Sequence, residues 1–286
     1  MSELIELGHD VVSVDRAEFT GTLARHIVLD LTDEAATTMV VGTERPDAII
    51  HLAGIAVPFS APVSVILRTN TALITSVMHA VVAARVPRVL AASSPTVIGY
   101  GSPTGWAPDY LPIDERHSSR PWNAYALSKL VIEETIATFA RSTPGAVFGA
   151  FRPGYVIAPE EWAGAPTQQG HTVLERLAEP GLAAASLFNY VDARDVGAFI
   201  DIWLTRASPE LSGEVFFVAA ADSLLRKDLP TALTHFHPST EGSARVLGRT
   251  DPVFATTKAE LLLGWRPTRT WRSELAATTE PQESPS

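Results

Sequence analysis

Six short, mostly apolar runs alternate with longer helical patterns, and this alternation constrains the chain more than anything else in it. The runs are residues 11–14, 26–29, 48–52, 88–92, 146–151 and 214–218. Their length and their content of branched residues fit parallel strands buried on both faces. Between them lie amphipathic patterns. Residues 65–85 put Leu67, Ala72, Ile74 and Met78 close to one face, and residues 123–141 follow a similar period. Strand–helix–strand repetition predicts right-handed βαβ units in an α/β, doubly wound parallel sheet.

Composition narrows the function. The chain has 286 residues, of which 46% are hydrophobic, enough for a sizeable core. Its net charge of −10 opposes a phosphate backbone, so nucleic acid is not an expected partner. There is no cysteine, which excludes disulfide and thiolate chemistry within the chain. No basic n-region followed by an apolar stretch opens it, and a cytoplasmic location is expected. Residues 48–67 are uncharged and long enough to cross a bilayer, but Gly54, Pro58, Ser60, Pro62 and Ser64 interrupt them. A strand, a loop and the start of a helix are expected there, and no membrane partner.

Chemistry concentrates at three segments. Tyr125 and Lys129 stand four apart in a helical pattern, which puts phenol and ammonium on one face. A nearby cation favours phenolate, and such a pair exchanges a proton with a substrate hydroxyl or carbonyl. The same spacing also occurs in ordinary surface pairs. Upstream, the strand Arg-Val-Leu-Ala-Ala runs into Ser93-Ser94-Pro95-Thr96-Val97-Ile98-Gly99, at the strand end where such sheets bind ligands. Downstream, Phe151-Arg152-Pro153-Gly154-Tyr155 makes another strand-to-loop transition. His235 and His237 lack a third ligand in register, so no metal is expected. Trp106, Trp122 and Trp162 flank the segments and are expected to pack in the core or a lid.

In order and spacing these segments resemble the extended short-chain dehydrogenase/reductases, the NAD-dependent epimerase/dehydratase family. The likeness extends to Val-Val-Ser-Val-Asp-Arg at 11–16, Asp-Ala-Ile-Ile-His-Leu-Ala-Gly at 47–54, Tyr-Val-Asp-Ala-Arg-Asp-Val-Gly at 190–197 and Thr-Thr-Lys-Ala-Glu-Leu-Leu-Leu-Gly-Trp-Arg-Pro at 256–267. Ile98 stands where the family usually has Tyr. The resemblance implies a Rossmann-like domain over 1–155, rejoined by 190–218, a small substrate lobe from 156–189 and 219–274, and a disordered tail over 275–286. It makes Tyr125 the acid/base and has Lys129 lower the tyrosine's pKa and bind the nicotinamide ribose. Ser94, with Ser93 as the alternative, would hold the substrate oxygen. Pro95, Thr96, Gly154 and Tyr155 would complete the substrate site. Asp15, Arg16, Asp30, Leu31, Leu52, Ala53, Gly54, Asn70, Arg152 and Pro153 join Tyr125 and Lys129 in the cofactor set. Asp15 would accept the adenosine ribose hydroxyls and repel a 2′-phosphate, which favours NAD over NADP. For Asp30, a turn-forming role stands beside the cofactor role.

The implied function is hydride transfer at a hydroxyl or carbonyl carbon of a sugar or small carbonyl compound. A nucleotide sugar is the alternative substrate, weakened because residues 159–190 hold one arginine, Arg176. A cofactor-poor binding or regulatory protein is the alternative class. A homodimer through the Tyr125 helix is compatible with Leu130, Ile132 and Ile136, which fit a core position equally. One family feature has no counterpart. The glycines before residue 50 are Gly8, Gly21 and Gly42, and none follows a strand and opens a helix. The first strand and the glycine-rich turn are therefore expected to lie upstream of Met1. Two buried strand edges without partners would cost more than a domain's stability, so either the protein starts upstream or another segment or chain fills the slot between strands 11–14 and 48–52.

Overall fold

The computed structural model describes residues 1–19, 21 and 24–279. In chain order the elements are α1 (Ser2–Glu6), β1 (Val12–Asp15), β2 (Arg25–Val28), α2 (Glu34–Glu44), β3 (Ile49–His51), α3 (Val63–Ala84), β4 (Arg88–Ala92), α4 (Ala124–Ser142), β5 (Val147–Pro153) and β6 (Tyr155–Ile157). They continue with α5 (Pro159–Trp162), α6 (Val173–Ala178), α7 (Gly181–Ala184), β7 (Tyr190–Asp192), α8 (Ala193–Arg206), β8 (Val215–Val218), α9 (Leu229–Phe236), α10 (Glu241–Ala244), α11 (Thr257–Leu263) and α12 (Trp271–Thr279). The chain has the Rossmann-like α/β fold with parallel sheets. All six expected strands form, within one or two residues of the expected ends. The chain divides into two compact units. One holds Met1–Gly99, Ser119–Arg152 and Gly197–Phe216; the other holds Tyr100–Ser118, Pro153–Val196 and the residues from Phe217 on.

In the first unit, β1 and β2 form a two-stranded parallel ladder, and β3, β4, β5 and β8 a four-stranded sheet in that order. Among the described residues no strand pairs with the second edge of β1 or of β3. These are the two strands between which the missing strand is expected. The burial pattern follows: no residue of β1 or β2 is fully buried, whereas Val147–Arg152 of β5 are buried throughout. Half-exposed edges let water reach the unpaired backbone groups, which lowers the cost of leaving them without a ladder partner. Ahead of β1, α1 lies against α8: the Glu3 side chain fills the space a Cβ on Gly197 would need, and His9 bonds Asp201 at 2.8 Å.

Helix α3 packs on α2 and α4. Its Ile74, Val77, Met78 and Val81 meet Val89 and Ala91 of β4, Ile132 and Ile136 of α4, and Phe148 of β5 in one buried cluster. Ile132 and Ile136 thus belong to the core of their own chain. Residues 48–67 form a strand, a loop and the start of α3, not one helix. Helix α3 is long and apolar enough to cross a membrane by composition alone, and half of its most apolar stretch is buried inside the protein.

In the second unit, β6 and β7 pair in parallel. Neither is expected from sequence, because three residues carry too little periodicity to read. The segment after residue 158, loop-like in sequence, contains the short helices α5 and α6, the latter capped by Thr172 and Glu175. Residues 275–279 complete α12, and the remainder of the expected disordered tail lies outside the described residues.

Candidate active site

The site is built where β4 ends. Beyond Ala92, Ser93 still holds the sheet register, donating its N–H to Phe151 O at 2.7 Å. Ser94 then caps a short 3-10 turn, Pro95–Ile98, its Oγ accepting from Thr96 N at 3.3 Å and Thr96 Oγ1 at 3.0 Å. The turn closes on Gly99, whose φ of +96° and close approach to Arg120 O leave no room for a side chain. Facing this turn is the start of α4. Asn123 Oδ1 accepts Ala126 N at 2.9 Å, so the cap fixes the first turn, which carries Tyr125.

The Ser94 side chain lies near enough to the Tyr125 hydroxyl to act on its titration. Lys129 Nζ lies 5.7 Å from the centre of the Tyr125 ring and donates to Ala92 O at 2.8 Å. Phenol, ammonium and hydroxyl therefore meet at one rim of the sheet. Burial pushes the Tyr125 phenol above its usual range, and the nearby Ser94 hydroxyl opposes this. Burial also brings Lys129 down to about 8. The sequence-based expectation has Lys129 lower the phenol's pKa; here desolvation outweighs any such effect. His51, at the end of β3, is a neighbour that sequence reading missed. It is 3% exposed, its Nε2 has no hydrogen-bond partner among the described residues, and burial followed by the charge of Lys129 lowers it to about 4. It is neutral across the physiological range.

Two buried networks hold the cluster. Asn70 of α3 accepts Ile55 N at 2.7 Å and donates to Ile55 O at 3.2 Å and to Ser128 Oγ at 2.9 Å. Ser128 in turn donates to Tyr125 O at 2.8 Å. One amide thereby ties the loop after β3 to the first turn of α4. Second, Arg152 of β5 forks onto Glu133 through Nε and Nη2, both at 2.7 Å, while Ser93 Oγ also donates to Glu133. Glu133 stands four residues after Lys129, on the face that already carries Tyr125 and Lys129. That spacing was the available signal for it.

The sequence pattern of the NAD dependent epimerase/dehydratase family matches residues 1–219. The chain belongs to this family. No curated protein sequence matches it. Among solved structures it is similar to a short-chain dehydrogenase/reductase superfamily protein from Agrobacterium tumefaciens with bound NAD, at 20% identity and TM-score 0.70, covering 97% of this chain and 90% of that one. A UDP-glucose-4-epimerase from Stenotrophomonas maltophila with bound NAD and formylated UDP-arabinopyranose is similar at 19% identity and TM-score 0.69, covering 96% and 91%. Uronate dehydrogenase from Agrobacterium tumefaciens is similar at 19% and TM-score 0.63, covering 98% and 84%. At these identities the likeness carries the fold.

The other family positions fall into three groups. Asp15 and Asp30 lie exposed at the ends of the paired strands β1 and β2, with Arg16 near Asp30. Asp15 Oδ1 accepts Ala17 N at 2.9 Å. Asp30 Oδ1 accepts Thr32 N at 2.9 Å and Thr32 Oγ1 at 2.7 Å, the turn-forming arrangement. Leu31 O accepts Thr37 Oγ1 at 3.2 Å, and Leu52, Ala53 and Gly54 follow β3. Asn70 and Arg152 form a second group: their polar groups bond other protein groups within the fold. Pro153, Gly154 and Tyr155 form the third, in the second unit. Gly154 donates to Val218 O at 2.8 Å, and a Cβ there would meet Asn189 Oδ1 at 2.6 Å and Tyr190 C at 2.8 Å. Of the tryptophans, Trp162 is buried and donates to Asp192 at 2.7 Å, while Trp122 packs at a tilt on exposed Phe59 at 5.6 Å and Trp106 meets Tyr100 edge to face at 6.1 Å. His237 Nε2 donates its N–H to Ala184 O at 2.8 Å.

The residues present fit part of a dinucleotide. Lys129 and Tyr125 bring donors to the rim of β4. At Gly54 an added Cβ would crowd Asn70 Oδ1 at 3.2 Å, so a bare backbone lines the loop beside them. That donor set suits a ribose and its nicotinamide. No described residue before β1 forms a glycine turn opening a helix, the element that would grip a pyrophosphate.

Proposed function

We propose that the chain is an NAD-dependent oxidoreductase or epimerase working at a hydroxyl or carbonyl carbon of a sugar or small carbonyl compound. The observation that carries this reading is the meeting of the Tyr125 phenol with Ser94, which acts on its titration, and with the Lys129 ammonium 5.7 Å from its ring. When bound, NAD supplies the hydride acceptor or donor. The chain's own part is the proton. As phenol, Tyr125 gives its proton to a carbonyl oxygen that is being reduced; as phenolate, it takes the proton of a hydroxyl that is being oxidised. Ser94 orients that oxygen, and Lys129, when charged, favours the phenolate. Asp15 supports NAD over NADP by its charge at the end of β1.

The test is NADH formation from NAD with a panel of free sugars and sugar acids, for wild type and Tyr125→Phe. Loss of about 10²–10⁴-fold in turnover with NADH binding retained supports the assignment. Unchanged turnover in the variant refutes it. Nucleotide sugars remain the second reading, supported by the UDP-sugar held in the similar epimerase structure. Micromolar retention of UDP in a calorimetric titration would favour that reading. Absence of any NADH fluorescence change on mixing would favour a binding protein over an enzyme.

A further inference from the structure

In the second unit, arginines that reach into the protein face carboxylates, with one exception. Arg194 meets Asp192 at 2.6 Å and also Glu274, Arg269 meets Asp195 at 3.0 Å, and Arg272 meets Asp222. Arg176, on α6, is the most buried of them at 1% exposure, yet among the described residues no carboxylate lies within ion-pair distance of it. Its Nη1 donates to Gln169 Oε1 at 2.7 Å, and its guanidinium lies 4.2 Å over the Tyr155 ring. Its Nε–H has no acceptor, and the buried Tyr155 hydroxyl has no partner either. Glu161 is near enough to act on Arg176 through its field, but its Oε2 accepts Ala158 N at 2.6 Å. Burial is the largest influence on the guanidinium and lowers its pKa.

A buried cation needs a counter-charge, and two neighbouring donors need an acceptor. A guanidinium presents paired N–H groups that match the two oxygens of a carboxylate or phosphoryl group. Gln169 is exposed, so the arginine lies beneath a surface loop, and that loop is pinned by Thr167, which donates to His171 O through both N and Oγ1. We infer that Arg176, Tyr155 and Gln169 form an oxyanion-binding site, which takes the carboxylate or phosphoryl group of a small ligand. Tyr155 is among the residues the resemblance gives to the substrate, so the inference rests on that reading, and its binding readout keeps its failure distinct from a failure of hydride transfer.

Thermal unfolding of the whole chain tests it, with D-glucuronate, inorganic phosphate or D-glucose added at equal ionic strength. A ligand that binds only the folded state raises the midpoint. The expected result is a rise with at least one anion and none with glucose. A rise with glucuronate alone assigns a carboxylate; a rise with phosphate alone assigns a phosphoryl group. In Arg176→Met the anion effect should weaken about tenfold or more in apparent affinity. Its midpoint without ligand should match or exceed wild type, because an apolar side chain replaces an unpaired buried charge. Tyr155→Phe keeps the ring beneath the guanidinium and should weaken the anion effect without lowering the midpoint, which serves if Arg176→Met does not fold. No anion effect in wild type, an equal effect of glucose, or an undiminished effect in the folded variants would overturn the inference.

Discussion

Replacing Lys129 with methionine isolates the energetics of the buried ammonium. Lys129 is held at about 8 by burial, against about 10.4 for an exposed lysine. A depressed lysine binds its proton less tightly folded than unfolded. Between about pH 8 and 10.4 the unfolded chain therefore holds more protons, and stability rises with pH. Below that window the folded chain carries the whole cost, about 3 kcal/mol, of which about 2 kcal/mol is relieved by about pH 9.5. Methionine removes the charge and keeps the unbranched stem, but loses the 2.8 Å bond to Ala92 O, worth about 1 kcal/mol. The variant should therefore be about 2 kcal/mol more stable than wild type near neutrality. Urea unfolding followed by tryptophan fluorescence, without NAD, measures both proteins near neutrality and at about pH 9.5. Higher pH is avoided because unfolded tyrosines ionise above about 10 while Tyr125 resists doing so, which reverses the slope. Wild type should gain stability over this interval and the variant should not. Parallel pH dependence in the two proteins would refute the reasoning.

Two further substitutions test the supports of the site. Glu133→Gln leaves Arg152 as a buried cation without its carboxylate and should cost about 3–5 kcal/mol in urea unfolding, whereas replacing both residues with methionine should recover most of that loss. Gly154→Ala drives a Cβ into Asn189 and Tyr190 and should lower stability by about 1–3 kcal/mol in calorimetry. Gly42→Ala, within α2 and with nothing in reach of its Cβ, should raise stability by about 0.5–1 kcal/mol.

Local pattern explains what the sequence made legible. Tyr125 and Lys129 announce themselves by helical spacing, and Ser94 by its place at the end of an apolar run, so each role depends on neighbours a few residues away. The partners that complete the site are distant in sequence. Glu133 meets Arg152 and Ser93 only after α4 has docked on β5, and Asn70, which the resemblance points toward the cofactor, shows its partners Ile55 and Ser128 only in the fold. His51 sits in an apolar strand, and nothing near it in sequence says that Lys129 will be its neighbour. Arg176 is singled out in the sequence as the one arginine of residues 159–190, but its burial shows only in the fold. Strands β6 and β7 escaped because three residues hold barely one period of alternation. The absence of a strand between β1 and β3 agrees with the family resemblance and the lack of an early glycine turn, whereas the expectation that something fills the slot finds no strand among the described residues.

A substrate carrying deuterium on the carbon whose hydroxyl is oxidised tests the central claim most directly. Once the sugar panel has yielded a turning-over compound, its deuterated form is converted in ordinary water and the cofactor is recovered. The account predicts that the deuterium appears in the reduced nicotinamide, with a slower rate than for the unlabelled compound. Turnover that releases the label to water would contradict it.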